Sequence, residues 1–176
     1  TNVRAEDVEN GRIAPVFAPK EQVLAYLHDM ESQGRVHTLW PEHCLVGSWG
    51  WACPNQLVQA VNTWDNRHHG QRPLHFYQKG EYPDAEMFSI FSYVNEATPN
   101  KHGKLVLDQL AQYDEVVVCG FAKDYCVAES VKDLRNDSRF EGKLRFFEAG
   151  MAAIDPQSAN LSIYEECLNN FGAKCI

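Results

Sequence analysis

A cysteine at the corner between a predicted strand and a predicted helix is the residue of this chain best placed to do chemistry. Cys126 lies in the segment 120–130 (GFAKDYCVAES), after the run 115–119 (EVVVC) and before the amphipathic stretch 127–134. A thiol at such a corner meets unpaired N–H groups and the positive end of the helix, which favour the reactive thiolate. We therefore predict that Cys126 is a nucleophile. The alternative is a buried structural cysteine, which is the commoner case and which we expect for Cys119.

A lysine at the end of another predicted strand could serve this thiol. Lys79 follows the segment 73–78 (PLHFYQ) and precedes Gly80. Its charge would favour a nearby thiolate and stabilise a developing oxyanion, although most lysines are simply solvated. We predict that Lys79 and Cys126 share a cleft.

A proline-containing loop, 40–44 (WPEHC), supplies a third candidate group. His43 could bind a metal ion through a neutral ring nitrogen, and Trp40 could offer a flat wall to an aromatic substrate. The alternative is a histidine that caps the loop and a tryptophan that fills the core.

Alternating helices and strands are predicted to position these residues. The apolar patterns predict helices from Lys20 to a stop at Gly34, from Pro54 onward, and over 105–110, 127–134 and 156–170. They predict extended segments over 36–40, 73–78, 115–119, 143–148 and 173–176. This alternation indicates an α/β fold with a parallel sheet and crossover helices on both faces. In such sheets, sites lie at the C-terminal edge of the strands.

The composition is that of one acidic globular domain. The chain has 176 residues, 44% of them hydrophobic, and a formal net charge of −8. The negative charge argues against nucleic acid as a partner, and no apolar stretch approaches the roughly 18 to 20 residues of a membrane span. We therefore expect a cytoplasmic protein with no membrane partner. Its six cysteines show no dense spacing, which predicts free thiols.

Three motifs together resemble the nicotinamidase branch of the isochorismatase-like cysteine hydrolases. The segment 40–44 (WPEHC) matches the family's WPxHC, Lys79 with Gly80 matches its catalytic lysine, and 120–127 (GFAKDYCV) matches its GxAxDxCV motif. The resemblance runs from about residue 5 to the C-terminus. It implies that residues 1–176 form a single domain, a three-layer α/β/α sandwich with a mostly parallel six-stranded sheet.

The resemblance also implies the catalytic roles. Cys126 would be the nucleophile, Lys79 the cation that activates it, and the N–H groups of Ala122 and Cys126 the oxyanion hole. The peptide bond between Phe121 and Ala122 would be cis. The implied reaction converts nicotinamide to nicotinate and ammonia through a cysteine thioester.

The substrate and metal sites follow from the same resemblance. Trp40 would stack on the pyridine ring, and Phe121, Tyr125 and Phe88 would line the pocket. His43 would be one ligand of a divalent metal ion, zinc in the first instance, with iron or manganese as alternatives. A homo-oligomer is expected for this fold.

One departure from the family pattern concerns proton transfer. The family carries a catalytic aspartate on its first strand and an Asp-x-His pair after its second strand, and neither is found before Trp40. We therefore expect an N-terminal segment with the first two strands to be absent from this sequence or supplied by another chain. Asp124 is the nearest substitute base, but we expect it to be structural.

Two other hypotheses about the function stay open. The same fold and thiol could act on another small amide or on an isochorismate-like enol ether. The chain could also be an inactive binding module of this fold. A lack of ammonia release from nicotinamide by the intact enzyme would reject the nicotinamidase hypothesis.

Overall fold

The computed structural model describes residues 1–69, 71–72, 74–80, 86–93 and 101–176. The chain divides into two compact units, Thr1–Phe76 and Tyr77–Ile176. Each unit has its own group of buried apolar side chains and is described separately. None of the helices in the described part of the chain is both long and apolar enough to cross a membrane.

The first unit combines three helices with one short pair of strands. Its elements are β1 Asn2–Val3, α1 Ala5–Glu9, α2 Lys20–Ser32, β2 His37–Thr38 and α3 Asn55–His68. Strands β1 and β2 pair in antiparallel register.

The helix predicted from Lys20 is confirmed as α2. Leu27 and Met30, on its predicted apolar face, are buried, and Leu27 packs with Val3 and Val8. The chain leaves this helix through Gly34, whose φ of +70° lies in the left-handed region that glycine adopts without steric cost. The start predicted at Pro54 is also confirmed, because α3 begins at the next residue.

The second unit contains a three-stranded parallel sheet with the order β3-β4-β5. Its elements are α4 Lys101–Leu110, β3 Val116–Phe121, a π-helical turn Lys123–Val127, α5 Ala128–Asn136, a 3₁₀ turn Ser138–Phe140, β4 Leu144–Ala152, a 3₁₀ turn Ala159–Leu161, α6 Ser162–Asn170 and β5 Lys174–Cys175. The predicted α/β class and parallel sheet are confirmed at this level.

Helices α5 and α6 cover one face of this sheet. Val116, Leu144 and Phe146 are buried on that face, in one cluster with Val131 of α5 and Cys167 of α6. Successive side chains of a strand point to opposite faces, so Val118 packs against the same core as Val116, and Val117, Cys119 and Phe121 lie on the second face.

That second face explains why the prediction of a buried Cys119 is wrong. Cys119 is exposed, and its neighbours along the same face, Val117 and Phe121, are 54% and 75% exposed. The run 115–119 is therefore a strand with one covered face, and its burial alternates along the chain.

The strand predicted over 73–78 is also not found in the described residues of that segment. Residues 74–78 belong to no strand, and Pro73 lies outside the described residues. Alternating apolar residues favour an extended chain, but a strand also needs a hydrogen-bonded neighbour, which a local pattern does not reveal.

Candidate active site

The structure brings Lys79 and Cys126 together. The Lys79 Nζ lies 3.2 Å from the Cys126 Sγ, and both side chains are half-buried. The same ammonium group donates to the carbonyl oxygens of Met87 and Phe88, each at 2.9 Å. A lysine ammonium has three N–H groups, and here two carbonyls and one sulfur occupy them. The cation is therefore fixed in position beside the thiol.

The backbone around Cys126 has the predicted strand-to-helix geometry. Strand β3 ends at Phe121, the π-helical turn Lys123–Val127 contains Cys126, and α5 follows directly. The carbonyl of Ala122 accepts hydrogen bonds from the N–H groups of Tyr125 and Val127. The thiol thus lies in the first turns of a helical segment, where the peptide dipoles favour negative charge.

Side chains near α6 hold the turn that carries the thiol. The Tyr164 hydroxyl donates to the Lys123 carbonyl at 2.8 Å, and the Asn160 amide donates to the Asp124 carbonyl at 3.1 Å. Burial, with smaller effects from nearby acidic groups, raises the pKa of Tyr164 well above its ordinary value, so its hydroxyl stays protonated. Both contacts reach carbonyls of the turn itself, and together they hold in place the turn that carries Cys126.

Asp124 is a structural residue, as the sequence predicted. Its side chain is fully buried, and its two carboxylate oxygens accept hydrogen bonds from the N–H groups of Ile154 and Asp155, each at 2.9 Å. A buried carboxylate bound in this way connects the cysteine turn to the segment that follows β4. It is committed to backbone partners and is poorly placed to act as a base.

The residues predicted to flank the thiol also lie in this unit. The peptide bond between Phe121 and Ala122 is cis, as the resemblance implies. Phe121 is largely exposed and Tyr125 is half-buried. Phe88 is half-buried, and its carbonyl oxygen is one of the acceptors of Lys79.

Trp40 and His43 lie together in the first unit. Their ring centroids are 6.3 Å apart in an edge-to-face arrangement, and Trp40 is 45% exposed. The His43 Nδ1 lies 2.7 Å from the Pro41 carbonyl oxygen. Because a carbonyl only accepts, Nδ1 is the donor in this contact, which leaves Nε2 as the ring nitrogen that a metal could bind. Histidines that bind metals often show this arrangement, with the second nitrogen bound to a backbone carbonyl.

A complete set of metal ligands is not present among the described residues. No three His, Cys, Asp or Glu side chains in that part of the chain lie close enough together to hold one ion. His43 is therefore suited to be one ligand of a metal ion, but the described residues do not complete a three-ligand site around it.

Sequence reasoning missed several residues that build the site. The Met87 and Phe88 carbonyls left no signal, because any residue type supplies a carbonyl group. Asn160 and Tyr164 act from more than thirty residues away. The Ser130 contact with Cys126 could have been predicted from the sequence, because a serine in a helix can donate its hydroxyl to the carbonyl of the residue four positions earlier.

Comparisons of the chain with known protein families, with characterised proteins and with solved structures found no match in any of the three.

Proposed function

We propose that this protein is a cysteine-dependent amidohydrolase that converts nicotinamide to nicotinate and ammonia. The observation that carries the proposal is the 3.2 Å contact between the Lys79 ammonium and the Cys126 sulfur. A thiolate is a strong nucleophile, and a fixed cation beside it stabilises the charged form. The motifs around both residues resemble those of the nicotinamidase branch, which supports the substrate.

The chemistry proceeds in two halves with Cys126 as the attacking group. The thiol gives up its proton, its sulfur bonds to the carboxamide carbon, and the carbonyl electrons move to oxygen. The carbon–nitrogen bond then breaks, and the leaving nitrogen gains a proton and departs as ammonia. Water adds to the resulting thioester, the sulfur–carbon bond breaks, and nicotinate leaves as the thiol is restored. The proton lost by the thiol balances the one gained by the nitrogen.

The residues of the second unit have separate parts in this scheme. Lys79 stabilises the thiolate and, after attack, the oxyanion. The N–H groups of Ala122 and Cys126 are proposed as the oxyanion hole, because such groups at a helical start point toward negative charge. Phe121 and Tyr125 are proposed to contact the ring of the substrate.

The roles of Trp40 and His43 are proposed from the resemblance and from their own geometry. An exposed indole suits stacking on a flat ring, and an imidazole whose Nδ1 donates to a backbone carbonyl suits a divalent metal such as zinc, iron or manganese. Such a metal would bind the pyridine nitrogen or a water. Because the described residues supply one ligand, no step of the reaction is assigned to it.

The number of strands and the layer arrangement of the fold are proposed from the same family resemblance. The parallel strands β3, β4 and β5 would belong to the six-stranded sheet of a three-layer α/β/α sandwich. A homo-oligomeric, cytoplasmic protein is proposed with them.

The test is ammonia release by the purified protein, with nicotinamide and benzamide as matched substrates. Benzamide has the same shape and carboxamide but lacks the ring nitrogen. Release from nicotinamide alone supports the proposal in full. Equal release from both amides supports the hydrolase and rejects recognition of the pyridine nitrogen. Release from neither rejects the conversion of nicotinamide and leaves a hydrolase for another small amide or an isochorismate-like substrate, or an inactive binding module.

A further inference from the structure

Ser130 contacts both the segment that carries Cys126 and the segment 86–93, which binds the Lys79 ammonium. Its hydroxyl donates to the Cys126 carbonyl oxygen at 2.8 Å, and its Oγ accepts the Ile90 N–H at 3.2 Å. The first contact holds the start of α5. The second holds the segment 86–93, from which the carbonyl acceptors of Lys79 come.

The segment 86–93 determines where the Lys79 ammonium lies. Two of the three N–H groups of that ammonium bind the carbonyls of Met87 and Phe88. Any shift of this segment relative to α5 would therefore carry the cation away from the sulfur. Lysine is otherwise a flexible side chain with a large rotamer entropy, so its position depends on such external contacts.

A second contact attaches the same segment to α5. The Ser92 hydroxyl donates to the Asp133 carboxylate at 2.6 Å, but this pair is exposed. The Ser130 contacts are partly buried, and the side chain of Phe91, next to Ile90, is buried in the core. Hydrogen bonds shielded from water constrain geometry more strongly than exposed ones. Ser130 is therefore better placed than Ser92 to set the distance between the Lys79 ammonium and the Cys126 sulfur.

We propose that Ser130 is a positioning residue that holds the Lys79 ammonium against the Cys126 sulfur by joining the segment 86–93 to the start of α5. The two hydrogen bonds of its hydroxyl go to backbone groups and not to the reacting sulfur. Its effect on catalysis rests on the proposed function, whereas its effect on the reactivity of the thiol does not.

A purely local role is the alternative. A serine in a helix commonly bonds the carbonyl four residues earlier, and this contact by itself would only adjust the helix. The Ile90 N–H contact distinguishes the two cases, because it connects α5 to a segment 40 residues away in the chain.

The test measures the rate at which iodoacetamide alkylates Cys126 across a range of pH. After trypsin digestion, Cys126 is the only cysteine of the peptide 124–132 (DYCVAESVK), so mass spectrometry reports its label separately. We expect Ser130→Ala to slow alkylation between about two- and tenfold near neutral pH, the range typical of coupled neighbours. We expect the pH of half-maximal rate to rise. Ser130→Thr, which keeps the hydroxyl, should restore both.

Two controls separate positioning from general damage. Ser162→Ala removes a hydroxyl that also bonds a nearby carbonyl, that of Ala159 at 2.9 Å, but does so at α6. It should leave the rate unchanged. In a Lys79→Met background, Ser130→Ala should cause no further loss, because the serine acts through the lysine. If Ser130→Ala does not fold, the alkylation rates of Ser130→Val and Ser130→Thr are compared instead, because valine and threonine have nearly the same shape and differ in the hydroxyl.

An unchanged rate in folded Ser130→Ala would overturn the proposal. An equal loss in the presence and absence of Lys79 would also overturn it, since the serine would then act on the thiol by another route. Alkylation needs no substrate, so these outcomes hold even if nicotinamide is not hydrolysed.

Discussion

The Lys79 ammonium lies 3.2 Å from the Cys126 sulfur, although 47 positions separate the two residues in the chain. Its remaining N–H groups bind two backbone carbonyls. This arrangement fixes a positive charge beside a thiol that is only half-buried. A cation held in this manner favours the thiolate form of the sulfur and stabilises negative charge that forms nearby.

Replacing this cation should disable the thiol. We expect Lys79→Met, which keeps the length of the side chain, to lower ammonia release by about 10²-fold or more, as for the loss of a transition-state donor. Alkylation of Cys126 should slow as well, because less thiolate is present. Lys143→Met is the matched control, since Lys143 is also half-buried and bonds a carbonyl, that of Ala111. Equal effects of both variants would contradict the assignment.

Asp124 should matter for stability more than for proton transfer. Asp124→Asn places an amide N–H₂ group against one of the two N–H donors, those of Ile154 and Asp155, that the buried carboxylate binds. We expect the free energy of unfolding to fall by about 1.5 to 3 kcal/mol, the range for hydrogen bonds to a charged group. Urea denaturation measures this, with exposed Asp114→Asn as the control. Full stability combined with lost turnover would instead identify Asp124 as a catalytic base.

The cysteines should differ sharply in reactivity. Burial raises the pKa of Cys167 to about 11, with smaller effects from Arg135, which lowers it, and Glu166, which raises it. At about pH 8 this thiol is therefore protonated as well as inaccessible, and only the thiolate reacts. We expect iodoacetamide to label Cys126 long before Cys167 in the folded protein. Mass spectrometry of tryptic peptides checks this order, and urea should abolish it. Labelling of Cys167 first would contradict the account.

An exposed ion-pair group should make stability depend on acid pH. Hydrogen bonds from Lys104 and then Arg139 lower the pKa of Asp108, and a hydrogen bond from Arg139 lowers the pKa of Asp137, each from an ordinary 3.8. A carboxyl with a lowered pKa in the folded state stabilises the protein above its unfolded pKa. That contribution is lost as the pH falls through the folded pKa.

Removal of the shared arginine tests this directly. We expect Arg139→Ala to lower the urea midpoint at about pH 7 and to make progressively less difference as the pH falls below 3.8 and through the lowered pKa values of the two carboxyls. Arg139→Lys keeps a charge and should retain part of the effect. A difference between wild type and Arg139→Ala that is constant over this range would show that packing on Phe140, and not charge, is responsible.

Local patterns predicted the elements that carry the thiol. The apolar run before Gly120 and the amphipathic stretch after Cys126 identified the strand-to-helix corner, because both signals are periodic within a few residues. The helix from Lys20 was likewise predicted from local apolar spacing, and the start of α3 was predicted from Pro54.

Contacts distant in sequence could not be predicted in this way. The strand expected over 73–78 failed because pairing depends on a neighbour, and the burial expected for Cys119 failed because it depends on what covers the second face. The role of Ser130 depends on Ile90, which no spacing connects to it. Lys79 was identified by its motif, but its carbonyl partners were not.

Ammonia release from nicotinamide by Cys126→Ala, compared with Cys119→Ala, tests the central claim most directly. Cys119 is an exposed cysteine on the neighbouring strand, so its replacement controls for the loss of a thiol. The account predicts no turnover above background for Cys126→Ala and wild-type turnover for Cys119→Ala. Ammonia release by folded Cys126→Ala at the wild-type rate would contradict it.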